Sequence, residues 1–274
     1  MQKLLIPLLG ACFAMPALAA GTISSGGFDV GIGTSGELYD PISGTGIRRN
    51  SDGYDPLAPG TPRESWGVRA SSGAAWADQA FFGTSGVGPT VFGPFGGSAT
   101  TASSSLTNGM ELHMSYSMVA PNIVRIDHTL KNVSNGRISR IRFQRMWDND
   151  IRPTEFFENS KDFGVQPVGF LDSTYYGFEN PDPGVPFGLS CAAGCNFAGD
   201  LGGGVRIWLG ALDPGASRSF TYWYGISMEG QSLDALIAQA ASLGVTYMIG
   251  IHPAWAALRG SAVSALLACS FERA

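Results

Sequence analysis

From Met110 the chain alternates apolar and polar residues with a period of two. In MELHMSYSMV, Met110, Leu112, Met114, Tyr116 and Met118 fall on one face, and Glu111, His113, Ser115 and Ser117 on the other. That is the pattern of a half-buried strand. Ala120-Pro121-Asn122 turns it, and Val124, Ile126, His128 and Leu130 continue the apolar face against Arg125, Asp127, Thr129 and Lys131. Asn135-Gly136 then predicts a second hairpin with a two-residue turn. Counting outward from it, Leu130 faces Ile141, His128 faces Phe143, Ile126 faces Arg145 and Val124 faces Trp147. This register sends Arg145 toward the core, where it needs a carboxylate. Glu155 and Glu158, on either side of Phe156 and Phe157, are the candidates.

Later segments keep the theme. GVRIWLGAL is apolar on both faces, as in a central strand, and Asp213-Pro214-Gly215 turns it into SRSFTYWYGI, where Phe220, Tyr222, Tyr224 and Ile226 share a side. One helix is predicted. Ser232 serves as N-cap, Leu233, Leu236, Ile237, Ala240 and Leu243 form its stripe, and Gly244 stops it. VTYMIGI returns as a strand. Residues 21 to 105 are rich in Gly, Ser, Thr and Pro, with short apolar pieces such as FDVGIG, SWGVRA and PTVFGPFG, which read as short strands between long loops. The expected fold is mostly β: an antiparallel β-sandwich with one C-terminal helix, as a single domain over residues 20–251.

Composition adds a location. Only 14% of the 274 residues are charged and 38 are glycine, against about 25% charged in ordinary soluble domains, which suits extracellular β structure. Residues 1–19 carry Lys3, an apolar run from Leu4 to Met15, and the small pair Ala17 and Ala19. They read as a secretory signal peptide. Leu9-Gly10-Ala11-Cys12 also fits a lipoprotein box that would lipidate Cys12. The net charge of -5 gives no electrostatic case for nucleic acid. Residues 252–274 read as an apolar tail; its run from Ala254 to Cys269 is short and broken by Arg259, so no stable transmembrane anchor is expected. In an oxidising compartment Cys191 and Cys195 of SCAAGCNF would close a small disulfide loop, leaving Cys269 buried or free for an intermolecular bond.

Candidate chemistry centres on RMWDNDIRPTEFFE. If the strand continues, Asp148 and Asp150 share a face opposite Trp147. Two such carboxylates can pair with nearby arginines (Arg125, Arg137, Arg140, Arg142 and Arg145), bind calcium, or act as acid and base on a sugar. Trp147, Asp148, Asp150 and Glu155 are therefore the candidate ligand-binding group. Asn50, Asp52 and Asp55 of NSDGYD form a second candidate calcium loop, against the plainer reading of an Asp-Gly turn. Trp208, Trp223, Tyr175 and Tyr176 could stack on sugar rings or fill the core. His113 sits on a polar face, His128 on an apolar one as a hydrogen-bonded core imidazole, and His252 beside Pro253; no nucleophile elbow, zinc-binding helix motif or phosphate loop is present in the sequence.

Several ordered blocks resemble a family of uncharacterised secreted bacterial proteins, many of which carry a PEP-CTERM sorting tail. They are GRISRIRFQRMWDNDIRPTEF, STYYGFENPDP, LGALDPGASRSFTYWYGIS followed by LDALIAQAASLGVTYMIG, and APGTPRESWGV at residues 58–68. The sorting tail itself is not matched in HPAWAALRGSAVSALLACSFERA. The resemblance implies Gram-negative export and a cell-surface or matrix setting, and brings no catalytic residues. The expected protein is thus exported to the outer surface, the extracellular space or the periplasm, and is non-enzymatic, with polysaccharide or calcium as its ligand. The alternative is a polysaccharide-active enzyme on a β-sandwich using Asp148 and Asp150.

Overall fold

The computed structural model describes residues 20–78, 80–152, 156–189, 197–253 and 265–270. A small antiparallel sheet comes first: β1 (Gly21–Ser25), β2 (Phe28–Ile32) and β3 (Ile47–Arg49). β4 (Glu64–Ala70), β5 (Gly73–Asp78) and β6 (Gly83–Ser85) form half of a six-stranded sheet. β7 (Val87–Phe92), β8 (Ala99–Leu106), β9 (Met110–Ala120) and β10 (Ile123–Asn132) run as a meander in a nine-stranded sheet. The chain then shuttles between the two. β11 (Ile138–Asp148), β13 (Phe170–Thr174) and β15 (Gly202–Leu212) join the six-stranded sheet; β12 (Glu158–Gly164), β14 (Phe197–Gly199) and β16 (Ser217–Ile226) join the nine-stranded one. Helix α1 (Leu233–Ser242) precedes β17 (Tyr247–Pro253) and β18 (Ala265–Ser270), both in the larger sheet.

The orders are β13-β15-β11-β4-β5-β6 and β14-β12-β17-β18-β16-β10-β9-β8-β7, and every pair is antiparallel. The inner faces meet in one core, where Phe143 and Val68 of the smaller sheet pack with Phe220, Tyr222 and His128 of the larger. The expected antiparallel sandwich is the fold. Period-two alternation produced it: Met110, Leu112, Met114 and Tyr116 are buried while His113 and Ser115 are exposed. The predicted helix forms where expected, with the Ser232 hydroxyl accepting from Ala235 N at 3.2 Å and Gly244 adopting φ 88° just beyond its end. It lays Leu236 and Ala240 on the outer face of the nine-stranded sheet, against Trp223, Met248 and Leu266.

Two expectations are corrected. The Asn135-Gly136 segment does not make a hairpin. β10 pairs with β9 and β16, so Leu130 lies beside Leu112 and Arg218, whereas β11 pairs with β4 and β15 in the opposite sheet. The connection is an arch across the core. His128 does meet Phe143, with ring centroids 5.0 Å apart, but across the sandwich and not along a ladder. A strand with one apolar face satisfies either arrangement, and Asn132 selects the arch. Its Nδ2 donates to Gly136 O at 2.7 Å and to Leu212 O at 3.0 Å, its Oδ1 accepts from Ser134, and its backbone bonds Gly215 and Ala216. This ties the β10–β11 arch to the parallel crossing from β15 to β16.

The second correction concerns the domain boundary at 251. Ala265–Ser270, expected within an apolar tail, inserts as β18 between β16 and β17. Ala265, Leu267 and Cys269 enter the main core while Leu266 and Ala268 sit under the helix side. A run apolar on both faces is what a central strand requires.

Candidate functional site

Arg145 points into the core, as its alternation demanded, but neither Glu155 nor Glu158 answers it. Its Nε and Nη2 each donate to Glu64 at 2.7 Å, in a fully buried pair. Tyr224 Oη donates to the same carboxylate at 2.6 Å, as does Leu38 N at 2.8 Å, while Arg145 Nη2 also reaches Gly36 O. His128 Nε2 lies 3.0 Å from Arg145 Nη1. A guanidinium has no acceptor, so His128 accepts. Burial first, and the neighbouring Arg145 second, hold the imidazole well below its usual pKa. Glu64 was legible in outline, because in ESWGVRA it shares a face with Trp66 and Val68. The network links β4, β11, β10 and β16, and its full burial makes it structural.

Asp148 is the last residue of β11 and Asp150 lies beyond the strand end, so they do not form an exposed strand pair. Asp148 is 5% exposed, Asp150 2%, and Trp147 is buried edge-on against Tyr224. Backbone bonds fix the segment: Asp148 N to Arg63 O at 2.9 Å, Asp150 N to Pro56 O at 2.8 Å, and Tyr54 Oη to Asp150 O at 2.8 Å. Burial, then the negative charges of Asp150 and Asp200, push the Asp148 carboxyl up to about 8 against the pull of Arg63. Glu158 is pushed up to about 7, mainly by burial, although Ile151 N and Leu201 N both donate to it at 3.2 Å. The arginines expected as partners go elsewhere. Arg125 pairs with Asp127, Arg137 with Asp213 and Arg145 with Glu64, while Arg140 and Arg142 line an outer groove.

The calcium loop at 50–55 is overturned. Asp52 is held by Arg49 at 2.6 Å, which pulls its carboxyl down to about 2. Asp55 instead accepts from Gly46, Ile47 and Leu57 backbone N–H groups, so the oxygens do not converge. Among the described residues no three Asp, Glu, His or Cys side chains are grouped to hold a metal ion. Glu155, Cys191 and Cys195 lie outside the described residues. Cys269 is buried, and burial pushes its thiol up to about 12.

Of the four aromatics named for stacking, Tyr175 and Trp223 are buried, while Tyr176 and Trp208 are 39% and 37% exposed. Trp208 stands on the outer face of the six-stranded sheet in a row that the ladders define. Arg142 of β11 is directly beside Trp208 of β15 on one side and Arg69 of β4 on the other. The Arg142 guanidinium lies over the Trp208 ring, 5.8 Å from its centroid. The loop of residues 175–189 covers the neighbouring part of this face. Gln144 Nε2 donates to Asn180 O at 2.7 Å, Arg206 Nη2 donates to Val185 O at 2.9 Å, and Gly67 admits Pro181 O where a Cβ would sit 1.9 Å from it. Arg69, Arg142 and Trp208 remain open beyond the loop. Arg69 was readable only as the outward neighbour of Val68; its place beside Arg142 depends on long-range pairing. Neither a protein-family model nor a curated protein matches the chain.

Proposed function

We propose that the protein is exported by the signal peptide of residues 1–19 and acts at the cell surface, in the extracellular matrix or in the periplasm as a non-enzymatic β-sandwich that binds polysaccharide. The observation that carries this reading is a contrast in access. The carboxylates that catalysis would use, Asp148 and Asp150, are nearly closed to solvent, whereas the guanidinium and indole row on the smaller sheet is open. Exposed aromatic faces and forked donors are the groups that hold sugar rings and their hydroxyls. The rival enzyme reading draws on the raised pKa of Asp148, as expected of a general acid.

Gel retention on immobilised polysaccharides separates the two. Binding weakens in Trp208→Ala and persists in Asp148→Asn if the row is the site. Retention untouched by Trp208→Ala, together with polysaccharide cleavage abolished by Asp148→Asn, would sink the binding reading. Export has its own test: protein recovered outside the inner membrane begins at Ala20.

A further inference from the structure

We infer that the groove beside Trp208 selects polysaccharides carrying anionic groups, the carboxylates of uronic acids or sugar sulfates; this rests on the glycan-binding reading above. The groove has a volume of about 440 Å³ and is lined by Arg69, Arg140 and Arg142 with Ser71, Gly73 and Gly184. The chain has 22 acidic against 17 basic residues, so three guanidiniums around one opening run against its composition.

Like charges directly opposite on adjacent strands repel, and Arg142 lies directly opposite Arg69. Only part of that charge is answered within the protein. Arg69 meets Asp182 at 3.4 Å and remains 44% exposed at its side chain. Arg142 has the Trp208 ring and the Pro183 carbonyl, the latter at 3.5 Å. Among the described residues neither Arg140 nor Arg142 forms an ion pair with a carboxylate.

The backbone is shaped to bring these groups together. A register shift between Ile138 and Ile141 inserts an extra residue in β11, and Arg140 is held there in the left-handed region at φ 56°. Gly184 lets the covering loop lie against Arg69, where a Cβ would come within 2.7 Å of Nε. The result is a rigid, sheet-borne set of planar donors next to an indole face. Planar forks match the two oxygens of a carboxylate, or a pair from a sulfate, and the ring takes the sugar beside it.

The test uses the full mature chain against three polymers: polygalacturonate, dextran sulfate and neutral dextran. Binding to one or both anionic polymers is expected, with the stronger of the two identifying carboxylate or sulfate as the favoured group, and added salt should weaken it. Arg142→Gln should weaken that binding about tenfold with an unchanged melting temperature. Arg140→Gln, at an exposed side chain, should act in the same direction and serves if Arg142→Gln does not fold. Arg125→Gln, on the outer face of the other sheet, should bind as the parent does. Retention on neutral dextran alone, or wild-type affinity in both groove variants, would overturn the anionic preference and leave glycan binding standing. Retention on none of the three would overturn both, and tighter binding to a DNA oligonucleotide than to either anionic polymer would reassign the groove to nucleic acid.

Discussion

Arg145 and Glu64 are charges the fold carries entirely out of water, held by two 2.7 Å bonds and by Tyr224. Removing one charge leaves the other uncompensated in the core. Glu64→Gln should therefore lower the unfolding free energy by about 3–5 kcal/mol in a urea titration; a loss within experimental error would show that the buried pair does not stabilise the fold. Asp148 acts in the opposite sense. Its carboxyl ionises near 3.8 when unfolded and near 8 when folded, so between those values the unfolded state binds fewer protons. Stability then falls as pH rises from about 4 to about 8 and levels off above. Asp148→Asn should flatten that slope and melt higher than the parent at pH 8, and an unchanged slope would refute the assignment. At this scale the sequence showed which side chains turn inward, because alternation is local. It did not show who meets them, since Glu64 is 81 residues from Arg145 and reaches it through the β4–β11 ladder.

The strands from Met110 to Asp148 were legible as strands and the arch between β10 and β11 was not. An apolar face on each strand suits a hairpin within one sheet as well as two strands facing each other, and Asn135-Gly136 favours the first locally. Asn132 decides for the second through contacts with Gly136 and Leu212 that no local pattern announces. Replacing it with alanine takes a donor from the buried Leu212 carbonyl and unties the arch at Gly136. Asn132→Ala should cost about 2–3 kcal/mol, measured by chemical denaturation, while the far-ultraviolet β signature is kept. By contrast α1 was readable to within a residue, because its cap, stripe and stop all lie within thirteen consecutive positions, Ser232 to Gly244. The groove row was partly visible: Trp208 and Arg142 were named from the sequence, but only strand order sets Arg69 beside them.

For the molecule as a whole, the two sheets share one core that runs from Ile23 of β1 to Cys269 of β18. β18 is an interior strand, bonded to β16 on one side and β17 on the other. Ending the chain at Pro253 should leave both neighbours with bare edges and open the core at Tyr222 and Ile249; the truncated protein should bind a hydrophobic dye and lose its cooperative thermal transition. A transition like that of the full chain would disprove the insertion. The order of synthesis gives this arrangement a further meaning. A ribosome makes β18 after every other described strand, so a nascent chain holds its larger sheet in two unjoined parts, β14-β12-β17 and β16-β10-β9-β8-β7. Non-local closure of this kind is slow, and here it waits until residues 265–270 have been made. Until β18 enters, Tyr222 of β16 and Tyr247 of β17 have no strand between them, so the last described strand to be made is the keystone that joins the larger sheet and closes its share of the core.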